Sequence, residues 1–237
     1  MAAHALSHAE RGTVESLAQP HWEALTPATH DAFDQVAPLE CMPRFYLAGG
    51  TGLAFHLGHR FSVDLDFFSP DVDAVGPDER AAFRERLDDA SLAITHDTDA
   101  TFVANWRGVG VSFFRLPLYP LVQEPLMIGN VRLATVAEIG AMKLAAAIDR
   151  GTRKDLVDLY FILQHVSLET VFQVAAVKYA RVRSFAVSAT SALAYFADAE
   201  ALPMPRMLDR TPWPKMKRFL EQQALEVGRK HLADLWE

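Results

Sequence analysis

Two rhythms divide the chain. Between Phe45 and Ala134 the apolar residues fall in short runs or strict alternation, as strands require, whereas from Thr135 onward they recur at helical spacing. Phe45-Tyr-Leu-Ala48 is an apolar run closed by Gly49-Gly50, which predicts a buried strand entering a tight turn. Leu53, Ala54 and Leu57 then share a helical face, and Gly58 supplies a stop. Val63 to Phe68 alternates, so Asp64 and Asp66 are predicted on one face of a strand with Val63, Leu65 and Phe67 on the other. Pro77 opens a helix over 78–90 whose first turn carries Asp78 and Glu79, where the helix dipole favours acids. Short strands are predicted at 92–95, 101–106, 109–114 and 130–134, and helices at 135–150, 153–165, 168–180, 184–197 and 215–235. Thr135 and Glu138 have the spacing of a capping box. Residues 1–42 read as a proline-interrupted, weakly amphipathic layer, best over 29–36. The expected fold class is α+β, with a mixed sheet and flanking helices over 1–136 and a helical bundle over 137–237.

Composition changes this picture at a few points. With 237 residues, 50% of them hydrophobic, the chain can bury a sizeable core. No apolar run approaches the roughly 20 residues a membrane span needs, so a soluble cytoplasmic protein is expected. The net charge of −7 disfavours bulk coating of nucleic acid, but it is unevenly spread. Residues 1–136 hold nine arginines, no lysine and eighteen acids, a balance of −9, against +2 for 137–237. Two subdomains with separate duties would explain that asymmetry. The lone Cys41 reads as a half-buried apolar residue, and His56 and His59 lack a third ligand at zinc spacing. The clusters Lys178–Arg183 and Lys215–Arg218 read as solvated helix faces, with an RNA-facing surface as the functional alternative.

The candidate chemistry lies between Gly49 and Asp66. Carboxylates two apart on one strand face lie about 6.6 Å apart along the backbone and repel if they converge. A divalent cation with oxygen preference, Mg²⁺ or Mn²⁺, would relieve that repulsion, and a solvated strand is the plain alternative. Glycines before a helix let backbone amides approach a phosphate, although a two-glycine turn alone is equally a plain connection. Downstream, Lys143, Ala147 and Arg150 share one helical face, and Asp155 and Asp158 are neighbours at i, i+3 on the next helix, where Lys154 and Asp158 also have the spacing of a surface ion pair.

In combination these residues carry a resemblance. Gly49-Gly50, thirteen residues, then Asp64-Leu-Asp66-Phe resembles the signature of the DNA polymerase beta-like nucleotidyltransferases. The fuller stretch Leu47–Phe68, with Glu138–Leu163 behind it, is similar to the AbiEii/AbiGii toxin family within that superfamily. The resemblance implies a nucleotidyltransferase α/β domain over 1–136 and a C-terminal helical domain over 137–237. It implies metal ligation by Asp64 and Asp66, nucleotide binding by Gly49, Gly50, Thr51, Arg60, Ser62, Lys143 and Arg150, and catalytic roles for Asp64, Asp66, Lys143, Asp155 and Asp158. Its implied partners are an NTP with Mg²⁺, tRNA as acceptor in some relatives, and a cognate antitoxin. One departure stands out: Ser112 occupies the place where such enzymes usually carry a third carboxylate, with Asp97, Asp99 or an acid of the helical part as substitutes. A small-molecule or protein acceptor, and a nucleotide-binding relative without turnover, stay open as alternatives.

Overall fold

The computed structural model describes residues 15–88 and 90–234, with side chains through Arg229. The first third of the expected N-terminal layer, and the last residue of the helix expected over 215–235, lie outside these residues. Strands β1 (Tyr46–Leu47), β2 (Leu65–Ser69), β3 (Ala93–Thr98), β4 (Thr101–Trp106), β5 (Val109–Arg115), β6 (Leu126–Ile128) and β7 (Val131–Leu133) form one sheet in the order β3-β4-β5-β2-β1-β7-β6. β2 runs parallel to β5 and β1 parallel to β7, while the other neighbours are antiparallel, so the sheet is mixed. Helices α1 (Pro27–Val36), α2 (Gly49–Leu57) and α3 (Pro77–Arg86) belong to the first part of the chain. α4 (Val136–Asp149), α5 (Arg153–Ile162), α6 (Leu168–Lys178), α7 (Phe185–Leu193), α8 (Ala197–Glu200) and α9 (Trp213–Asp234) follow. The α+β expectation therefore holds.

Alternation in β2 assigns the two faces of the sheet. Leu65 and Phe67 are buried with Phe45, Phe83, Phe102 and Phe113 in a core covered by α1 and α3. Phe83 and Phe113 stack with centroids 3.8 Å apart. Asp66 and Phe68 point to the opposite face, where Tyr46, Ala48 and Leu53 join the helical core of α4 to α9. The face of β2 that carries Asp66 is thus the one turned toward the helices.

Several elements differ from expectation. β6 is unexpected, because Pro117 and Pro120 argue for irregular backbone after β5; a turn through Gly129, at φ +57°, folds it onto β7 as a hairpin. β3 extends to Thr98 and is exposed along its length, as an edge strand with a single neighbour can be. α3 stops at Arg86, and the helix expected over 184–197 is α7 followed by the separate turn of α8. α9 starts earlier than expected, with Pro214 as its second residue, a position that needs no amide hydrogen.

The capping box at Thr135 is half formed. Thr135 Oγ1 accepts from the Glu138 amide at 3.1 Å, but the Glu138 carboxylate turns away, accepting from the amides of Val122 and Gln123 at 3.0 and 3.2 Å and from Lys178 Nζ at 2.7 Å. Lys178 also donates to Pro120 O at 2.8 Å and is buried, so it belongs neither to a solvated face nor to an RNA-facing surface. Burial pushes its ammonium below the usual lysine value, and the hydrogen bond and charge of Glu138 oppose that shift. The pair anchors the loop after β5 to α4 and α6.

Candidate functional site

The turn after β1 brings a helix start against the two aspartates. Ala48 N–H donates to Asp66 O at 3.1 Å, and Gly49 then takes φ +64°, a conformation that costs other residues about 1–2 kcal/mol. A Cβ at Gly49 would lie 2.7 Å from Asp66 Oδ2, and one at Gly110, on β5, 2.7 Å from Asp64 Oδ1. Both carboxylates therefore nest against glycine backbone, and Gly110 N–H donates to Asp64 Oδ1 at 3.3 Å. A Cβ at Gly50 would sit 2.5 Å from Arg60 Nη2 and 3.0 Å from Ser62 Oγ. The first amides of α2 have no i−4 partner within the helix, and Gly49 and Gly50 line this space. For Gly49→Ala we expect about 1–2 kcal/mol lower stability in urea denaturation, from the strained φ, together with displacement of the Asp66 carboxylate.

The resulting cavity, of about 470 Å³, is lined by Gly49, Gly50, Ser62, Asp64, Asp66 and Lys143, among others. Phe61, Phe68, Phe114, Ile139, Met142 and Pro205 give it an apolar wall. Arg60, Arg150 and Lys154 complete its charged side. Asp64 is exposed at the mouth and Asp66 half-buried. Burial, then the neighbouring Asp64 charge, pushes the Asp66 carboxyl above its usual value. In register, Asp66 faces Ser112 across the parallel β2–β5 pair, and a Ser112 hydrogen bond favours the ionised Asp66. Ser112 therefore stands beside Asp66 on the neighbouring strand.

The proposed substitutes for that acid are elsewhere. Asp97 pairs with Arg80 at 2.8 Å and with Arg84, and Asp99 pairs with Arg80 at 3.1 Å, at the β3 edge of the sheet. Among the described residues no group of three or more His, Cys, Asp or Glu is gathered to hold a metal. Two carboxylates with glycine at their backs suit one hard cation whose remaining positions are filled by phosphate and water oxygens. The donor set does not supply a protein-built second metal site.

Behind the cavity lies a buried ionic network. Asp158 accepts from Arg60 Nε and Nη2 at 2.6 and 2.8 Å, from Lys143 Nζ at 2.6 Å, and pairs with His59 Nε2 at 2.9 Å. Asp155 accepts from Lys143 Nζ at 3.0 Å and, in a fork, from Arg150 Nε and Nη2 at 2.9 and 3.1 Å. Both carboxylates are fully buried. Burial opposes ionisation of Asp158, but the Lys143 and Arg60 charges and their hydrogen bonds outweigh it and hold the carboxyl well below its usual value. Asp155 and Asp158, predicted as catalytic, are thus saturated inside the protein; they are placed to orient Lys143, Arg60 and Arg150. The surface pair expected between Lys154 and Asp158 does not form, because Asp158 faces inward.

The remaining predicted residues sort in the same way. Thr51 is buried and its hydroxyl donates to the Asp64 carbonyl, so only its amide can serve a ligand. His56 is taken by Ala134 O at 2.8 Å and His59 by Asp158 at 2.9 Å. Burial, then the Glu79 charge, raises the half-buried Cys41 thiol to about 11, where it is no nucleophile. Lys154 and the apolar wall were missed: periodicity puts Lys154 on the solvent side of α5 but cannot say that a cavity opens there.

The Asp158 network has a pH signature. A carboxyl with a depressed folded value contributes stability that is complete above the unfolded value of about 4 and is lost as pH falls through the folded value. Urea denaturation between pH 5 and pH 3 is expected to show a steep acid loss of stability that is shallower in Asp158→Asn.

Mixed sheet, glycine turn, paired aspartates on the helix-facing side and a helical bundle behind them define a polymerase beta-like nucleotidyltransferase fold. The profile described as "Nucleotidyl transferase AbiEii toxin, Type IV TA system" matches residues 36–119 and 107–235, and the chain belongs to that family. An uncharacterized protein of Aquifex aeolicus (strain VF5) is 31% identical over 203 residues, covering 83% of this chain and 94% of the relative. Among solved structures, the chain is similar to MenT4, a nucleotidyltransferase toxin from Mycobacterium tuberculosis H37Rv, at 20% identity and a TM-score of 0.52, covering 81% of this chain and 77% of that one. A Helicobacter pylori protein is similar at 17% identity and a TM-score of 0.50, over 85% and 92% of the two chains. Family membership implies a toxin nucleotidyltransferase with a nucleotide substrate and an antitoxin partner. No helix among the described residues is long and apolar enough to cross a membrane.

Proposed function

We propose that this cavity binds an NTP with a divalent cation and transfers its nucleoside monophosphate to an acceptor hydroxyl, in the cytoplasm, as the toxin of a toxin–antitoxin pair. The observation that carries the reading is the convergence of the α2 amides, the Asp64/Asp66 pair and Lys143 on one cavity. In the transfer, the acceptor oxygen bonds to the α-phosphorus as that phosphorus separates from the oxygen leading to the β-phosphate. The electron pair leaves with pyrophosphate, and the hydroxyl proton passes to water.

Asp64 and Asp66 would hold Mg²⁺ or Mn²⁺, which when bound neutralises charge on the carboxylates and phosphates. The amides of Gly49, Gly50 and Thr51 and the hydroxyl of Ser62 would hold phosphate oxygens. Lys143 and the free side of Arg150 would offset the charge that develops at the α-phosphate. Arg60, Asp155 and Asp158 are positioning residues in this scheme, with Arg60 forming the wall beneath Gly50. The apolar wall suits a base and ribose. For the acceptor we favour RNA, tRNA in particular, on the family's toxin character.

Ser112 supports a second reading, a protein that binds Mg²⁺–NTP without turnover, because serine cannot serve as a carboxylate ligand or as a base near neutral pH. Incubation with each α-labelled NTP and total RNA, tRNA, an aminoglycoside or the chain alone separates the cases. Transfer to RNA is expected. Label on the aminoglycoside or on the chain would change the acceptor, NTP binding without label anywhere would favour the second reading, and no binding at all would end both.

A further inference from the structure

Four cations line the cavity, and three of them are already committed within the protein. Arg60 is held by Asp158, Lys143 by Asp155 and Asp158, and Arg150 by Asp155. Lys154 is different: it lines the cavity, is exposed, and has no hydrogen bond or ion pair among the described residues. It is also misplaced for helix stability. As the second residue of α5 it puts a cation at the helix end where the backbone dipole favours anions. Asp155, the next residue, is spent on Lys143, Arg150 and Thr152.

Inside the protein the Lys154 charge reaches only as far as favouring the ionised form of Asp66, and its ammonium hydrogens are left for a ligand that brings its own negative charge. Resting on the nucleotidyltransferase reading above, we propose that Lys154 is the residue that binds the β- and γ-phosphates of the NTP, and hence the pyrophosphate that leaves. The committed cations can answer charge near the α-phosphate only by sharing donors with Asp155 and Asp158. Lys154 can give all three of its ammonium hydrogens to the two outer phosphates. When the bond from the α-phosphorus breaks, the electron pair and the new negative charge pass to the pyrophosphate on that side, so the same contact strengthens as the group departs.

The test is equilibrium titration of the full chain with Mg²⁺ and each of the four NTPs, the matching NMPs, and pyrophosphate. Lys154→Ala is expected to bind its best NTP and pyrophosphate about tenfold or more weakly, as loss of a charge-assisted contact implies, with NMP affinity unchanged and Lys154→Arg retaining most of the affinity. Because Lys154 is exposed and unpaired, the melting temperature of Lys154→Ala is expected to stay within about 1 °C of the parent. Equal NTP and pyrophosphate binding by parent and variant, or equal losses for NTP and NMP, would overturn the assignment of Lys154 alone. Failure of the parent chain to bind any NTP would overturn the nucleotide reading, and the role of Lys154 with it.

Discussion

Asp64→Asn combined with Asp66→Asn is expected to lower nucleotide transfer by at least ~10²–10³-fold while raising the melting temperature by about 2–4 °C. The two effects share one cause. Asp66 sits half-buried with its carboxyl pushed upward, first by burial and then by the Asp64 charge, so the folded chain carries a desolvated carboxylate beside a like charge. Asparagine removes that repulsion and keeps the shape, at the loss of the charge a cation needs. If the chain is a growth-slowing toxin, the same variant should be harmless on expression. Parallel measurement of transfer and melting checks both halves; a variant that loses activity because it unfolds would not carry this argument.

The second large effect lies behind the cavity. Asp158→Ala is expected to cost about 3–5 kcal/mol, roughly 6–20 °C in melting temperature, because Arg60, Lys143 and His59 would be left around a buried void without their counter-charge. The cost reflects an uncompensated buried charge, not the net worth of the ion pairs. Asp155→Ala should cost less, since Arg150 is half exposed and can turn to water. Thermal unfolding of the two variants side by side measures this difference, and equal costs would contradict the ranking.

How much of this was legible in the sequence depends on which physical signal each residue sends. Strict alternation placed Asp66 on the helix-facing side of β2, because the β period of two leaves little choice there; Asp64 precedes the strand, and Val63, expected on the opposite face, is exposed and lines the same cavity. Gly49-Gly50 likewise announced a turn, and only Gly can hold φ +64° against Asp66 at no cost. Helical periodicity placed Lys143 and Arg150 together, and Asp155 with Asp158. It could not tell that the acidic pair is fully buried, since a buried carboxylate is recognisable only by its partners, and Arg60 lies 98 residues away from Asp158. For the same reason Lys154 read as a plain surface lysine, and nothing local told that Thr51, expected in a phosphate cradle, spends its hydroxyl on the carbonyl of Asp64. β6 was hidden because local proline chemistry argued for irregular backbone while the partner that makes it a strand, β7, is visible only in three dimensions.

In the proposed function the crevice between β2 and α4 is a nucleotide site that depends on a cation. The most direct measurement is calorimetric titration of NTP into the full chain with and without Mg²⁺, repeated with Asp64→Asn/Asp66→Asn. The prediction is binding that requires Mg²⁺ in the parent chain and loses that requirement, with most of its affinity, in the double variant. NTP binding of equal strength with and without the cation, or unchanged in the double variant, would contradict it.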